Sequence, residues 1–368
     1  MTAIKDVLML RSARQGGSRS TLCLGARPAL LSLLILAAVI VPAHAGDPGF
    51  ADQWGVYRDR FVTGDGRVRD TGNKDVSHTE GQGWAMLFAE SAGDRAAFDN
   101  MWEWTRTHLQ QPNSALFAWR WDPADPQHPV ADSNNASDGD TLIAWALIRA
   151  AKTWHDAKYR VAARRIVGDI RDKLLAAVAR RLVLLPGRDG FTRDDGSVVL
   201  NPSYYVYPAY RDFERTLPGY QWRRLRGDGL ALLDKAQFGP WHLPSDWIAL
   251  DPAGAVTPAA GFAPQFGFAA IRVPLYLVWA GEATPTRLQP YLDFWAEFGD
   301  KPPPAWADVS DGKVAPYAAS TGMQAVVQLA RAAQQRDPPP LPVIGESDDY
   351  YSASLVLLAR LARRETGG

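Results

Sequence analysis

Ser77-His78-Thr79-Glu80-Gly81-Gln82-Gly83-Trp84-Ala85-Met86-Leu87 is the stretch on which the reading of the fold turns. From Trp84 the chain runs on through Phe88 and Ala89 without a polar residue, which predicts a helix that is apolar all round and buried. Glu80 sits at the turn that opens this helix, with Gly81 and Gly83 just behind it. A carboxyl group at the mouth of a buried helix is partly desolvated, and desolvation raises its pKa, which suits a general acid. The two glycines let backbone approach another group closely, a substrate among the candidates. A second reading stays open: Ser77 and Glu80 have the S-x-x-E spacing of a capping box, which makes the segment a helix start and nothing more.

Working outward, apolar stripes at helical spacing recur along the chain. Asp52 to Val62 carries Trp54, Tyr57 and Phe61 on one face, and Arg95 to Leu109 is a paired return helix. Phe117 to Asp122, with Trp119 and Trp121, reads as a loop or short strand. The polar turn Asp132 to Asp140 delivers Asp138 and Asp140 to the start of another apolar helix. Acids at that place serve as caps, and their spacing lacks the closing Glu of an EF-hand. Lys158 to Leu185 reads as one long amphipathic, Arg-rich outer helix, and Pro186 to Val199 as a hairpin. Arg211 to Phe238 supplies more helix, Asp251 to Ala263 a small-residue loop. Leu288 to Phe298, Tyr317 to Arg336 and Tyr350 to Arg364 complete the helices. Ten or more helices alternating with glycine- and aromatic-rich loops predict an all-α architecture and suggest concentric helix pairs, while spacing alone allows other all-α arrangements.

The chain has 368 residues, 46% of them hydrophobic, which is ample for a large core. Its formal net charge is zero, which argues against a nucleic-acid partner. The 14 Trp residues fit sugar binding and fit an ordinary core equally well. The six His residues show no paired ligand spacing, so neither a metal nor a cofactor is expected. Residues 1–45 read as a signal peptide: Arg11, Arg14, Arg19 and Arg27 lead, Ala29 to Val41 is apolar or small, and Ala43-His44-Ala45 is a cleavage site. An uncleaved N-terminal anchor is the rival reading. Cys23, the one cysteine, lies in that segment, so the mature chain has no disulfide. No second core boundary is visible, and residues 46–368 read as one domain.

The Glu80 segment resembles the acid motif of glycoside hydrolase family 8, the inverting family that includes the endoglucanases of bacterial cellulose synthase operons. Other stretches resemble the family in its own order: Trp54 through Arg67-Val68, Ala136-Ser137-Asp138-Gly139-Asp140, Asn201-Pro202-Ser203-Tyr204, Leu243-Pro244 through Trp247, Arg272, and the pair Tyr350-Tyr351. The resemblance implies an (α/α)6 barrel with long cleft-forming loops and an endo-β-1,4-glucanase activity. It implies Glu80 as general acid and Asp138 as the residue that contacts the sugar at the cleavage point, with Asp140 structural. It places Trp119, Tyr204, Arg272 and Tyr350 along the cleft. The implied partner is a β-1,4-glucan chain, with an association with the cellulose synthase complex, a monomeric state and a periplasmic or secreted location as further expectations.

The pattern breaks at the base. The family carries an Asp in a Tyr-Asp-Ala-x-Arg motif, and this chain reads Phe268-Ala269-Ala270-Ile271-Arg272. Ala269 accepts no proton. An inverting glycosidase needs a second carboxylate, roughly 6.5–9.5 Å from the first, to activate water. Asp246 and Asp251 are the nearest acids that precede Ala269 in sequence and the candidate replacements. The competing expectations are a weak or inactive glucan-binding protein of the export machinery and a hydrolase of another β-glycan.

Overall fold

Thr79–Ala92 is buried along nearly its whole length, from Thr79 to Glu90 with Glu80 as the exception. The computed structural model describes residues 49–335 and 338–367. The expected signal peptide lies outside them. The helices are α1 (Phe50–Phe61), α2 (Thr79–Ala92), α3 (Arg95–Leu109), α4 (Ser137–Thr153), α5 (Ala157–Leu174) and α6 (Tyr207–Thr216). They continue as α7 (Gln221–Leu233), α8 (Arg272–Ala280), α9 (Pro285–Ala296), α10 (Thr321–Ala332) and α11 (Tyr350–Thr366).

Two kinds of helix assemble the barrel. Helices α2, α4, α8 and α11 are apolar around most of their circumference and have no face to give to water. With α6 and α10 they form an inner ring in which each packs on the next, α2 to α4, α6, α8, α10, α11 and back to α2. The outer helices are amphipathic. Helix α3 starts at Asp94, whose carboxylate accepts the Ala97 amide at 3.1 Å, and it buries Phe98, Met101 and Trp104 against α2. Helix α5 starts at Asp156 and buries Tyr159, Ile166 and Ile170 against α4. Helix α1 covers α2 and α11, α7 covers α6, and α9 covers α10. This is the (α/α)6 arrangement.

Short antiparallel pairings decorate the ring. β1 (Ser77–His78) pairs with β2 (Arg120–Trp121), with Ser77 opposite Trp121. This ties the Trp119 loop to the mouth of α2, where the Thr79 amide donates to the Trp119 carbonyl at 3.1 Å. The expected long helix from Lys158 to Leu185 ends instead at Leu174. Leu175–Val178 (β3) and Arg181–Leu184 (β4) fold back on each other through Ala179 and Arg180, both at positive φ. Two outside groups stabilise the hairpin: Asp228 accepts the Leu182 amide at 2.7 Å, and the Leu184 amide donates to the Tyr205 hydroxyl at 3.1 Å. The expected loop from Asp251 to Ala263 also contains a strand. β5 (Val198–Leu200), β6 (Ile248–Leu250) and β7 (Val256–Pro258) form one sheet, with Ala249 between Val199 and Thr257.

Candidate active site

The N-termini of α2, α4 and α8 converge, and their first turns bring three charged side chains together. Glu80 is the second residue of α2, Asp138 the second of α4 and Arg272 the first of α8. Arg272 donates from Nη1 to Glu80 Oε1 and from Nη2 to Ser203 Oγ at 2.7 Å, and Nη2 lies 4.0 Å from Asp138 Oδ2. Ser203 sits in the 3-10 turn Pro202–Tyr204 and is itself oriented: Asn201 Oδ1 accepts its amide at 3.0 Å and its hydroxyl at 2.8 Å. The Arg272 guanidinium stands 5.5 Å from the Trp84 ring centroid.

Burial sets the electrostatics. Asp138 is pushed well above the usual carboxylate range by its burial, with the charge of Glu80 and a hydrogen bond to it as further causes. Burial is the largest influence on the Arg272 cation and works against it, but Glu80, Tyr351, Tyr276 and Asp138 together outweigh it, so the guanidinium is held above its ordinary value. Asp140, which the sequence reads as structural, accepts the Phe117 amide at 3.0 Å and the Asn135 side-chain amide at 2.7 Å. Burial nevertheless raises it to about 7.

The local reading of the Glu80 turn needs two corrections. Ser77 is not a cap: it lies in β1, and the N-cap position of α2 is His78, which makes no side-chain capping bond. Nor do the glycines leave room for a substrate. A Cβ on Gly81 would lie 2.2 Å from the Tyr350 hydroxyl, and one on Gly83 would lie 2.5 Å from Leu142 Cβ. A third glycine matters as much: a Cβ on Gly139 would lie 2.1 Å from Thr79 Oγ1 and 2.8 Å from the Glu80 amide. The glycines let inner helices touch where their first turns meet.

Aromatic residues flank the acids. Trp119 stacks on His78 with ring centroids 6.2 Å apart and planes 2° from parallel, and its indole N–H donates to Asp132 at 3.0 Å. Tyr204 packs edge-on against Trp247, which stacks on Phe191 and Phe262. Tyr350 lies beneath the Glu80 turn, 1% exposed and packed on Phe61 and Tyr57, so its ring is core. Its neighbour Tyr351 reaches the site instead, donating its hydroxyl to the Phe268 carbonyl.

That carbonyl belongs to the turn where the base is missing. Ala269 is buried, and the turn around it is held by Asp246, whose Oδ1 accepts the Gly267 amide at 3.0 Å and the Ala270 amide at 2.6 Å. Burial raises Asp246 to about 6, against the lowering effect of those amides and of Arg272. Asp251 is not brought to this turn. It closes the β6–β7 hairpin, its carboxylate accepting the Ala255 amide at 2.8 Å. The extended chain from Asp246 to Asp251 covers about 16 Å.

Ser203 and Tyr351 lie inside stretches that carry the family resemblance, but the sequence assigned a role only to their neighbours Tyr204 and Tyr350. The signal available for Ser203 was its place two residues after Asn201, the spacing of a side chain that caps its own turn.

Comparison with known proteins agrees with this geometry. The sequence model for Glycosyl hydrolases family 8 matches residues 26–365. A probable endoglucanase of Novacetimonas hansenii is 43% identical, the match covering 90% of this chain and 96% of that protein. An endoglucanase of Cellulomonas uda is 42% identical over 82% of each chain. Among solved structures, the endo-β-1,4-glucanase CMCax from Acetobacter xylinum superposes with a TM-score of 0.82 at 43% identity, over 87% of this chain and 99% of that one. The endoglucanase Cel10 from Klebsiella pneumoniae superposes with a TM-score of 0.81 at 44% identity, over 85% and 99%. The chain belongs to glycosyl hydrolase family 8.

Proposed function

We propose that this chain is an endo-β-1,4-glucanase that cleaves with inversion, Glu80 protonating the departing glycosidic oxygen. The observation that carries the reading is the placement of Glu80: it is gripped by Arg272, next to the buried Asp138, where three inner helices open. The names of the similar proteins, endoglucanases, support the same reading. Asp138 orients the sugar at the scissile bond. Asp246, the carboxylate built against the turn of Ala269, is the base: it takes a proton from water as the water oxygen bonds to the anomeric carbon and the glycosidic bond breaks. Trp119 and Tyr204 flank the glucan. The enzyme works as an exported monomer, periplasmic or secreted, alongside the cellulose synthase complex.

A second reading rests on Ala269 itself: the site binds glucan and does not cleave it. Release of reducing ends from carboxymethyl-cellulose by the native chain and by Ala269→Asp separates the two. Under the first reading the native chain cleaves and the change adds little. A silent native chain with cleavage restored by Ala269→Asp overturns it and leaves glucan binding as the function. A panel of xylan, mixed-linkage glucan and chitosan tests the substrate class, and higher turnover on any of these would displace the cellulose-type assignment.

A further inference from the structure

A recess lies at the end of the barrel away from the acids. It is bounded by the last turns of α4 and α8 and by α6 and α7, and its volume is about 390 Å³. Pockets for small molecules run from about 300 to 1,000 Å³. Asp138 and Arg149 lie on the same helix, and at 1.5 Å per residue the recess is about 16 Å from the carboxylate cluster. The floor is aromatic and buried, with Trp145 and Trp279 packed 5.0 Å apart.

The charges around this floor do not balance. Each acid in the wall is already engaged. Asp212 accepts the Trp145 indole N–H at 3.0 Å and pairs with Arg215, Glu365 accepts the Trp279 indole N–H at 2.8 Å and pairs with Arg149, and Glu214 pairs with Arg223. Two exposed cations on the rim, Lys152 and Arg211, make no hydrogen bond or ion pair among the described residues. The buried hydroxyl of Tyr210, which also lines the recess, has no hydrogen-bond partner there either. Beyond Lys152 the surface continues into a groove that adds Arg160 and His155. A recess with its acids neutralised and its cations and a hydroxyl left over is complementary to an anion, and a guanidinium matches the oxygens of a phosphate or carboxylate in a planar fork.

We propose that this recess is a binding site for a small organic anion about the size of a hexose, held through a phosphate or carboxylate by Lys152 and Arg211. The ring of the ligand lies over the aromatic floor. The site is separate from the carboxylate cluster and does not rest on the hydrolytic reading.

Isothermal titration of the full chain with glucose 6-phosphate, glucuronate, glucose and inorganic phosphate tests this. Both anionic sugars are expected to bind, more weakly as salt is added, and glucose is not. The double variant Lys152→Ala, Arg211→Ala should lose about tenfold or more in affinity, equivalent to about 1.4 kcal/mol, with release of reducing sugar unchanged. Because both side chains are exposed, the variant retains the fold, and its thermal midpoint checks this. The same titrations on Glu80→Gln should match the native chain, which separates this site from the cleft. Absence of heat from both anionic sugars at millimolar concentration would overturn the proposal. So would glucose binding as well as its phosphate, inorganic phosphate binding as tightly as glucose 6-phosphate, or undiminished affinity in the double variant.

Discussion

Asp246 accepts the backbone amide of Ala270 at 2.6 Å, across the turn whose middle residue is Ala269. One carboxylate oxygen therefore fixes the turn, and in the proposed reaction the second would take the proton. Asn is the informative replacement, because its carbonyl oxygen still accepts both amides while its nitrogen takes no proton. Asp246→Asn is expected to lower kcat by about 10²–10⁴-fold, as loss of a general base does, while the thermal midpoint changes little. A kcat within a few-fold of native would assign Asp246 to the turn alone.

Arg272 is the joint of the acid cluster, since one guanidinium reaches Glu80, Ser203 and Asp138. A Lys in its place keeps the charge and loses the planar fork, so it cannot serve Glu80 and Ser203 in the same geometry. Arg272→Lys should cut kcat by about tenfold or more and cost about 1–3 kcal/mol of stability, because hydrogen-bonding groups buried beside it lose a partner. Urea unfolding together with carboxymethyl-cellulose turnover reads both numbers. Full activity in the Lys variant would show that charge alone is required.

Glu80→Gln keeps the shape of the side chain and its acceptor for Arg272, and removes the proton to be donated. Turnover should fall by about 10²–10⁴-fold, with affinity for cello-oligosaccharides retained. Near-native turnover in this variant would remove Glu80 from the role of acid.

The inner helices were the most legible part of this chain, for a physical reason. Helices such as α2 and α4 are apolar around most of their circumference, and a sequence of that kind is buried. The β3–β4 hairpin was not legible, because Leu175, Val178, Leu182 and Leu185 fall at helical spacing and continue the stripe of α5. What decides is tertiary, namely the Asp228 and Tyr205 groups that bond its strands. The site shows the same division. Glu80, Asp138 and Arg272 are far apart in sequence and meet because each begins an inner helix. Tyr350 and Tyr351 are adjacent, and about 100° of helix rotation separates a ring in the core from a hydroxyl on Phe268. Asp246 and Asp251 both precede Ala269 on the same stretch of chain, and the strand between them carries one to the turn and the other away from it.

Gly139 is where α4 meets the mouth of α2. Adding one methyl group places it 2.1 Å from Thr79 Oγ1 and 2.8 Å from the Glu80 amide, and the second of these is backbone that cannot swing aside. Gly139→Ala is expected to lower stability by about 1–3 kcal/mol, as overpacking in a tight core does, and to lower kcat by more than the loss of folded protein explains, since the displaced atoms carry Glu80. Measuring turnover well below the melting range separates the two effects. A variant with native kcat and a lowered midpoint would confine Gly139 to packing.

Asp140 ties stability to pH. Its carboxyl rises from an ordinary 3.8 to about 7 because burial penalises the charge more than the Asn135 and Phe117 hydrogen bonds favour it. Between those two values the folded chain holds a proton that the unfolded chain has released, so the contribution of this group to stability falls as pH rises through the window. Above about 7 the loss is complete, and below 3.8 it is absent. Groups such as Asp94, held below its ordinary value by the Trp54, Ala97 and Arg58 donors that outweigh its burial, act in the opposite sense at lower pH. The native chain should therefore melt at a higher temperature near pH 5 than near pH 8. Asp140→Asn removes the titration while keeping an acceptor for the Phe117 amide, so the difference between the two pH values should shrink, at about 2–4 °C for each kcal/mol removed. Thermal melts of both proteins at both pH values measure this, and an unchanged difference in the Asn variant would place the pH dependence elsewhere in the barrel.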